Sequence, residues 1–232
     1  IILQAGPSCR EHTPIPILGK MFRYLASQTK TNICCHVDHG YTLDECYEGI
    51  DSGFTSVMFD GSKLTLKENI KISKKIASRA HKHNISVEGE IGFVGYDNGK
   101  ISEGTNIEDA VSFANKSNID AMAISVGNTH LQTSKKASID FDKINLIEAK
   151  TKIPLVLHGS SGIPVEQRKK LARKTKVAKL NIGTEIRMTF GEALRKNLKN
   201  NPKTYDRLQL LKPTIKDLTK VTKKIIKQIG PN

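Results

Sequence analysis

The chain has 232 residues, 38% of them hydrophobic, which is enough to bury a substantial core in one α/β domain. No stretch nears the ~18 consecutive apolar residues that a membrane-spanning helix needs, so no membrane partner is expected. The formal net charge of +14 fits either nucleic acid or phosphorylated metabolites, but 5% aromatic content, no Trp and lysines dispersed along the chain favour the metabolites and predict no nucleic-acid binding.

Cys9, Cys34, Cys35 and Cys46 show no CxxC spacing, which predicts reduced thiols and a cytoplasmic setting. The opening Ile1-Ile2-Leu3-Gln4 reads as a strand, with no initiator Met, so residues upstream are expected. A Gly6-Pro7-Ser8 loop follows, then an amphipathic helix over 20–28. Ile33-Cys34-Cys35 begins a buried strand over 33–38 that runs into His36-Val37-Asp38-His39-Gly40. Side chains alternate along a strand, so His36 and Asp38 share a face and His39 turns out only as the strand ends. Imidazole beside carboxylate suits a metal ligand next to a general acid/base. The competing structural reading is a core histidine beside an Asp that caps a helix.

Thr42 to Glu45 forms a T-x-x-E capping box that opens a helix, and Thr65 to Glu68 and Thr105 to Glu108 repeat that signature. Between them lie a strand over 54–59 ending in Asp60-Gly61-Ser62, and a strand from Ile85 that leads to Glu88-Gly89-Glu90. Strands over 121–127, 154–157 and 177–182 come next, with helices over 140–150 and from near Pro164, and two final helices over about 184–199 and 212–229. Strand and helix alternate through seven strands, and polar residues end at least six of them. A doubly wound sheet would gather polar residues at one switch point, so this distribution favours a TIM (β/α)8 barrel with its site on the C-terminal face. Seven strands and a truncated start predict a single domain over 1–232 that is N-terminally incomplete, the first barrel strand being absent.

His130 and His158 also end apolar runs, and three strand-terminal histidines fit an open catalytic zinc site. His158-Gly159-Ser160-Ser161-Gly162 and Asn181-Ile182-Gly183-Thr184 are small turns on consecutive strands, of the kind that hold phosphate at a helix N-terminus. Asp60 and Glu90 end neighbouring strands; they back the metal ligands, bind a second cation, or serve only to anchor loop amides.

The motif His36 to Gly40, the stretch Gly53 to Ser62, Val87 to Gly92, Pro154 to Gly162 and Lys179 to Glu185 together resemble the class II, zinc-dependent ketose-bisphosphate aldolases, from Ile1 to about Gly230. The resemblance implies a lyase of carbohydrate metabolism, glycolysis included, that cleaves fructose 1,6-bisphosphate or tagatose 1,6-bisphosphate to dihydroxyacetone phosphate and an aldehyde. It makes His39, His130 and His158 the Zn2+ ligands and Asp38 the catalytic acid/base. Gly159, Ser160, Ser161, Asn181, Ile182, Gly183 and Thr184 then hold the substrate phosphate, and Arg187 the distal one. Asp60 and Glu90 match residues that bind a second divalent metal in part of the family; a monovalent cation is the other occupant considered. Family habit predicts a homodimer or homotetramer, and Ile215, Leu218, Val221 and Ile225 offer an apolar stripe for it, or for packing on the chain's own barrel.

The chain also departs from the family pattern. Leu131 stands where a glycine usually follows the second zinc histidine. Gly95-Tyr96-Asp97-Asn98 replaces a Gly-Gly-acidic loop, with Asn98 at the expected glutamate, and Thr133-Ser134 replaces a Tyr-Lys pair, with Lys135 one position late. Gly183 sides with the tagatose enzymes. The altered loop motivates an alternative, a non-catalytic or repurposed sugar-phosphate-binding paralogue. A barrel metallohydrolase is a third reading; it often wants an H-x-H on its first strand, and none is visible in a sequence expected to lack that strand.

Overall fold

The computed structural model describes residues 1–96, 102 and 104–230. Apolar, β-branched runs become seven strands among these residues: β1 (Ile2–Ala5), β2 (Cys34–Gly40), β3 (Ser56–Phe59), β4 (Ser86–Ile91), β5 (Ala121–Ile124), β6 (Leu155–Leu157) and β7 (Val177–Leu180). Helices separate them: α1 (Pro7–His12), α2 (Ile15–Ser27), α3 (Leu43–Asp51), α4 (Leu66–Ala80), α5 (Ile107–Ser117), α6 (Phe141–Lys150), α7 (Val165–Lys174), α8 (Thr184–Asn200), α9 (Arg207–Leu211) and α10 (Thr214–Ile229). The strands are hydrogen-bonded neighbours in strict chain order from β1 to β7, and the β1–β2, β2–β3, β3–β4 and β4–β5 pairs are parallel. Parallel neighbours in sequence order with helical crossovers are the topology of a (β/α)8 barrel with one strand missing.

The chain divides into two compact units. The first comprises Ile1–Phe93, Glu103–Ser125 and Asn145–Leu155. Its strands β2 to β5 are largely buried on both faces, with Val37, Val57, Met58, Val87 and Met122 inaccessible or nearly so, as sheets covered by helices require, while β1 leaves Ile2 exposed. Two of the three capping boxes form as the spacing predicts, Thr42 with Glu45 on α3 and Thr65 with Glu68 on α4. The third does not. Asn106 caps α5 by accepting from the Asp109 amide, while the Thr105 hydroxyl donates to the Ile91 carbonyl and accepts from the Ser125 amide. Two buried backbone groups outbid the local cap.

The Gly6-Pro7-Ser8 stretch is also not simply a loop. Pro7 opens the six-residue α1, where its missing N–H costs nothing, and α2 begins at Ile15 rather than at 20. In β2 the strand runs on to Gly40, two residues past the expected end, with a register irregularity against β3 between Val37 and Gly40.

The second unit comprises Val94–Ser102, Val126–Ile144 and Val156–Asn232. Val156, Leu157, Ile163 and Leu171 form its buried centre. Of the apolar stripe on α10, only Ile225 is buried; Ile215 is 61% exposed. All four cysteines are free thiols. Among the described residues no helix is long and apolar enough to cross a membrane.

Candidate active site

In the first unit the C-terminal ends of β2, β3 and β4 gather one imidazole and several carboxylates. His39 Nδ1 lies 2.8 Å from Asp60 Oδ2 and 3.8 Å from Glu90 Oε2. One donor atom from each of His39, Asp60 and Glu90 falls within 4.8 Å of the others, a spacing a cation can bridge. Asp60 is fixed from its other oxygen by the Ser62 hydroxyl at 2.6 Å and the Ser62 amide at 3.2 Å. Asp38 accepts a hydrogen bond from the Gln4 side-chain amide at 3.2 Å. It caps no helix: Thr42 caps the one that follows, which removes the helix-cap reading of Asp38. One layer below, His36 shares a 2.8 Å hydrogen bond with the Ser56 hydroxyl and stands 3.7 Å from Glu88.

The backbone turns at His39. Its φ is +52°, the left-handed region that residues with a Cβ enter only at a cost, and this coincides with the irregularity in β2. Alternation along the strand is broken there, so Asp38 and His39 are both 8% exposed instead of one being thrown outward.

In the second unit His158 follows β6, fully buried, its carbonyl accepting from the Asn128 side-chain amide at 3.0 Å. His130 meets its ring edge to face, centroids 5.8 Å apart, and stacks on Tyr96 at 5.1 Å. The phosphate-type turn begins at Gly159, whose φ of +63° and close approach to the Thr129 carbonyl leave no room for a Cβ. The Ser160 amide donates to the Asn181 carbonyl at 3.0 Å, and the Ser161 hydroxyl accepts from the Glu185 amide at 3.1 Å. These bonds bring the turns after β6 and β7 together at the start of α8, with Gly183 at its N-cap and Thr184 as its first residue. Arg187 is exposed, one turn into α8, with its amide on the Gly183 carbonyl.

A sequence model of class II fructose-bisphosphate aldolase matches residues 1–232. The chain belongs to that family. It is 37% identical over 201 residues to the 6-phospho-5-dehydro-2-deoxy-D-gluconate aldolase of Shouchella clausii, covering 85% of this chain and 68% of that protein. Similarity to the fructose-bisphosphate aldolase of Staphylococcus aureus is 34% over 202 residues, 85% of this chain and 70% of that one. Among solved structures the YdjI aldolase of Escherichia coli superposes with a TM-score of 0.82 at 26% identity, covering 99% of this chain and 81% of that chain. A class II aldolase is a carbon–carbon lyase, and this chain is an aldolase by membership.

Charge differs between the strand ends of the first unit and those of the second. Burial works to lower the pKa of His39, but the hydrogen bond it donates to Asp60 and the charges of Asp38, Glu90 and Asp60 outweigh it and push the imidazole up to about 9. Burial likewise works to raise Asp60, and the bond and charge of His39, with help from Ser62, carry it down to about 2. In the second unit the cations prevail. Arg168 is fully buried, with Nε on the Ile163 carbonyl at 2.9 Å and Nη2 on Glu185 at 2.8 Å. Burial, then the Arg168 charge, holds the Lys135 ammonium below its usual range, against the pull of Glu185 at 3.5 Å.

Two of these residues were not legible in the sequence. Gln4 and Arg168 lack a motif, and each acts on a partner remote in the chain, Asp38 and Glu185. Leu131 does carry a signal: it holds φ +58°, so the backbone keeps the left-handed geometry that a glycine would adopt there. Of the altered loop, Gly95 accepts from the His130 amide at 2.8 Å and Tyr96 packs on the His130 ring, while Asp97 and Asn98 lie outside the described residues.

Proposed function

We propose that this chain is a zinc-dependent aldolase that reversibly cleaves a phosphorylated ketose, fructose 1,6-bisphosphate or tagatose 1,6-bisphosphate, to dihydroxyacetone phosphate and an aldehyde such as glyceraldehyde 3-phosphate. The observation that carries this is the pairing of Asp38 with His39 at the end of β2, each buried and each held by a separate partner, Gln4 and Asp60. We assign the work to a single catalytic domain over residues 1–232, the range of the family match.

His39, His130 and His158 are the proposed zinc ligands. The donor chemistry suits the ion: Asp60 engages Nδ1 of His39, as a carboxylate does when it orients a metal-binding imidazole. When bound, zinc supplies Lewis acidity against the negative charge that develops on the substrate oxygens. Asp38 accepts the C4 hydroxyl proton as the C3–C4 bond breaks, and the bonding pair stays with the C3 fragment. A proton delivered to C3 by a protein acid completes dihydroxyacetone phosphate; Gln4 keeps the Asp38 carboxylate aimed. Gly159, Ser160 and Ser161, with Asn181 to Thr184, hold the phosphate of the dihydroxyacetone half at the start of α8, where the positive end of the helix favours an anion. Arg187 faces the distal phosphate. Asp60 and Glu90 serve a second cation, divalent or monovalent.

The relatives named for 6-phospho-5-dehydro-2-deoxy-D-gluconate and for fructose bisphosphate share a phosphorylated sugar substrate, which supports the class without choosing the member. A substrate panel of these two sugars and tagatose 1,6-bisphosphate, run with zinc and after chelation, tests the proposal. Cleavage that stops on chelation and returns with zinc is expected. Full activity in chelator, with a Schiff base trapped by borohydride, overturns it, and dihydroxyacetone phosphate binding without cleavage of any sugar points to the non-catalytic paralogue. We also propose a cytoplasmic homodimer or homotetramer, for which the exposed apolar residues Ile215 and Ile226 of α10 are available.

A further inference from the structure

We propose that Arg10 is a positioning residue of this active site, whose guanidinium holds the backbone of Asp38 and His39 in the left-handed kink that places both side chains. The inference rests on the proposed roles of those two residues. Arg10 lies on α1, and its side chain is only 7% exposed. Nη1 donates to the Ala5 carbonyl at 2.8 Å and to the Asp38 carbonyl, and Nη2 donates to the His39 carbonyl at 2.9 Å. Glu45, the capping residue of α3, stands 3.8 Å from Nη2 and balances the charge.

The location explains the need. β1 ends at Ala5, opposite Val37, so Asp38 and His39 lie past their last β1 partner. There φ of His39 is +52° and the register against β3 slips, which turns successive carbonyls away from a regular ladder. A kinked strand that carries an acid/base and a metal ligand on adjacent residues must hold both peptide planes still. Only a rigid, planar group with several parallel donors can grip the carbonyls on both sides of the kink together with the end of the neighbouring strand. Lysine brings the charge but not the fork, so Arg10→Lys separates geometry from electrostatics. No substrate contact is implied, and Arg10 acts through Asp38 and His39 alone.

The test uses the full chain with Arg10→Lys and Arg10→Gln, and Arg79→Lys as a control at the exposed Arg79–Asp51 pair. Zinc affinity is measured by chelator competition, kcat and KM on the best sugar of the panel, and the amide 15N–1H shift of His39 in the metal-free protein. Arg10→Lys should melt near the wild type, bind zinc about 10–100-fold more weakly and lose kcat by a similar factor. Its KM should stay within about twofold, because the phosphate turns are untouched. The His39 amide should move in Arg10→Lys and stay in place in Arg79→Lys. Should Arg10→Gln fail to fold, Arg10→Lys carries the test. Wild-type zinc affinity, kcat and His39 shift in Arg10→Lys overturn the proposal and leave Arg10 as a tie between α1 and the sheet. A wild-type chain that binds no zinc overturns the zinc assignment instead, and the metal-free His39 shift still decides the role of Arg10.

Discussion

The strand ends of the first unit and those of the second solve opposite electrostatic problems. At β2, β3 and β4 carboxylates crowd one imidazole, and the chain strains its backbone at His39 to bury Asp38 beside it. The turn after β6 is built of glycine and serine and the turn after β7 is Asn181-Ile182-Gly183-Thr184, and the charges beside them are Arg168 and Lys135, tied to Glu185. The first arrangement favours cations and proton movement, the second anions and anchoring. Apart from His130 and His158, the proposed zinc ligands of the second unit, substitutions should therefore separate, those in the first unit acting on metal and kcat, those in the second acting on KM.

The largest effect tests whether the histidines of both units share one ion. His39→Ala and His158→Ala should each lose bound zinc and all measurable turnover, read by metal analysis and by cleavage assay. If only one of them loses zinc, the two units do not supply a common ligand set.

Asp38→Ala comes next. It removes the proposed acid/base and leaves His39, Asp60 and the proposed phosphate turns intact, so zinc content should be unchanged while kcat falls by roughly 10²–10⁴. KM should barely move, as for an interaction used mainly in the transition state. A variant that keeps its rate and only melts early would reduce Asp38 to a structural partner of Gln4.

A smaller effect is expected across the comparison. Ser161→Ala deletes the acceptor of the Glu185 amide at the start of α8. Losing one such bond is worth about 1 kcal/mol, or roughly a fivefold to tenfold rise in KM for the phosphorylated sugar. A fall in kcat at constant KM would contradict the division between chemistry and anchoring.

The fold was legible because its determinants are local. Apolar runs closed by His, Asp or Glu mark β2, β3, β4 and β6, and T-x-x-E marks α3 and α4. Local signals failed where a distant group competed. The Thr105 hydroxyl serves backbone groups of Ile91 and Ser125, so the cap passes to Asn106. At Gly6-Pro7-Ser8 the turn residues masked a helix start that Pro7 also signals. The motif histidines and Asp38 stood out as polar residues ending apolar strands. The partners that aim them did not: Gln4 reaches Asp38 and Arg10 reaches His39 across the turns of α1 and α2, and no spacing rule links such pairs.

The His39–Asp60 pair gives a pH signature on the first side. The folded His39 pKa is raised to about 9 from 6.5, so its stabilisation is complete below 6.5 and is lost as pH rises through about 9. Asp60 is lowered to about 2 from 3.8, so its share is present above 3.8 and is lost as pH falls through about 2. Metal-free protein should be helped most between these ordinary values, and its Tm should decline on the alkaline side. Zinc must displace a proton from the His39 imidazolium, so its apparent affinity should climb about tenfold per pH unit until roughly pH 9. Zinc titrations at stepped pH check this, and a flat profile from neutral to alkaline pH would mean that His39 is not a ligand.

The smallest effect concerns Leu131, on the second side, and it inverts the usual expectation for a departure from a family pattern. Leu131 is 53% exposed, so its side chain contributes little burial. Its φ of +58° costs a residue with a Cβ about 1–2 kcal/mol, which glycine does not incur. Glycine loses more chain entropy on folding, about 0.5–1 kcal/mol, so Leu131→Gly should be neutral or stabilise by about 1.5 kcal/mol at most. Because the backbone beside His130 already has the shape that a glycine allows, zinc affinity and kcat should not change. The strain at His39 is of the same kind but carries a proposed ligand, so the pair of sites asks whether left-handed strain here is functional or incidental. A Leu131→Gly variant with normal stability but altered kcat or KM would show that the leucine side chain touches substrate, and that this departure from the family is a specificity change rather than a tolerated one.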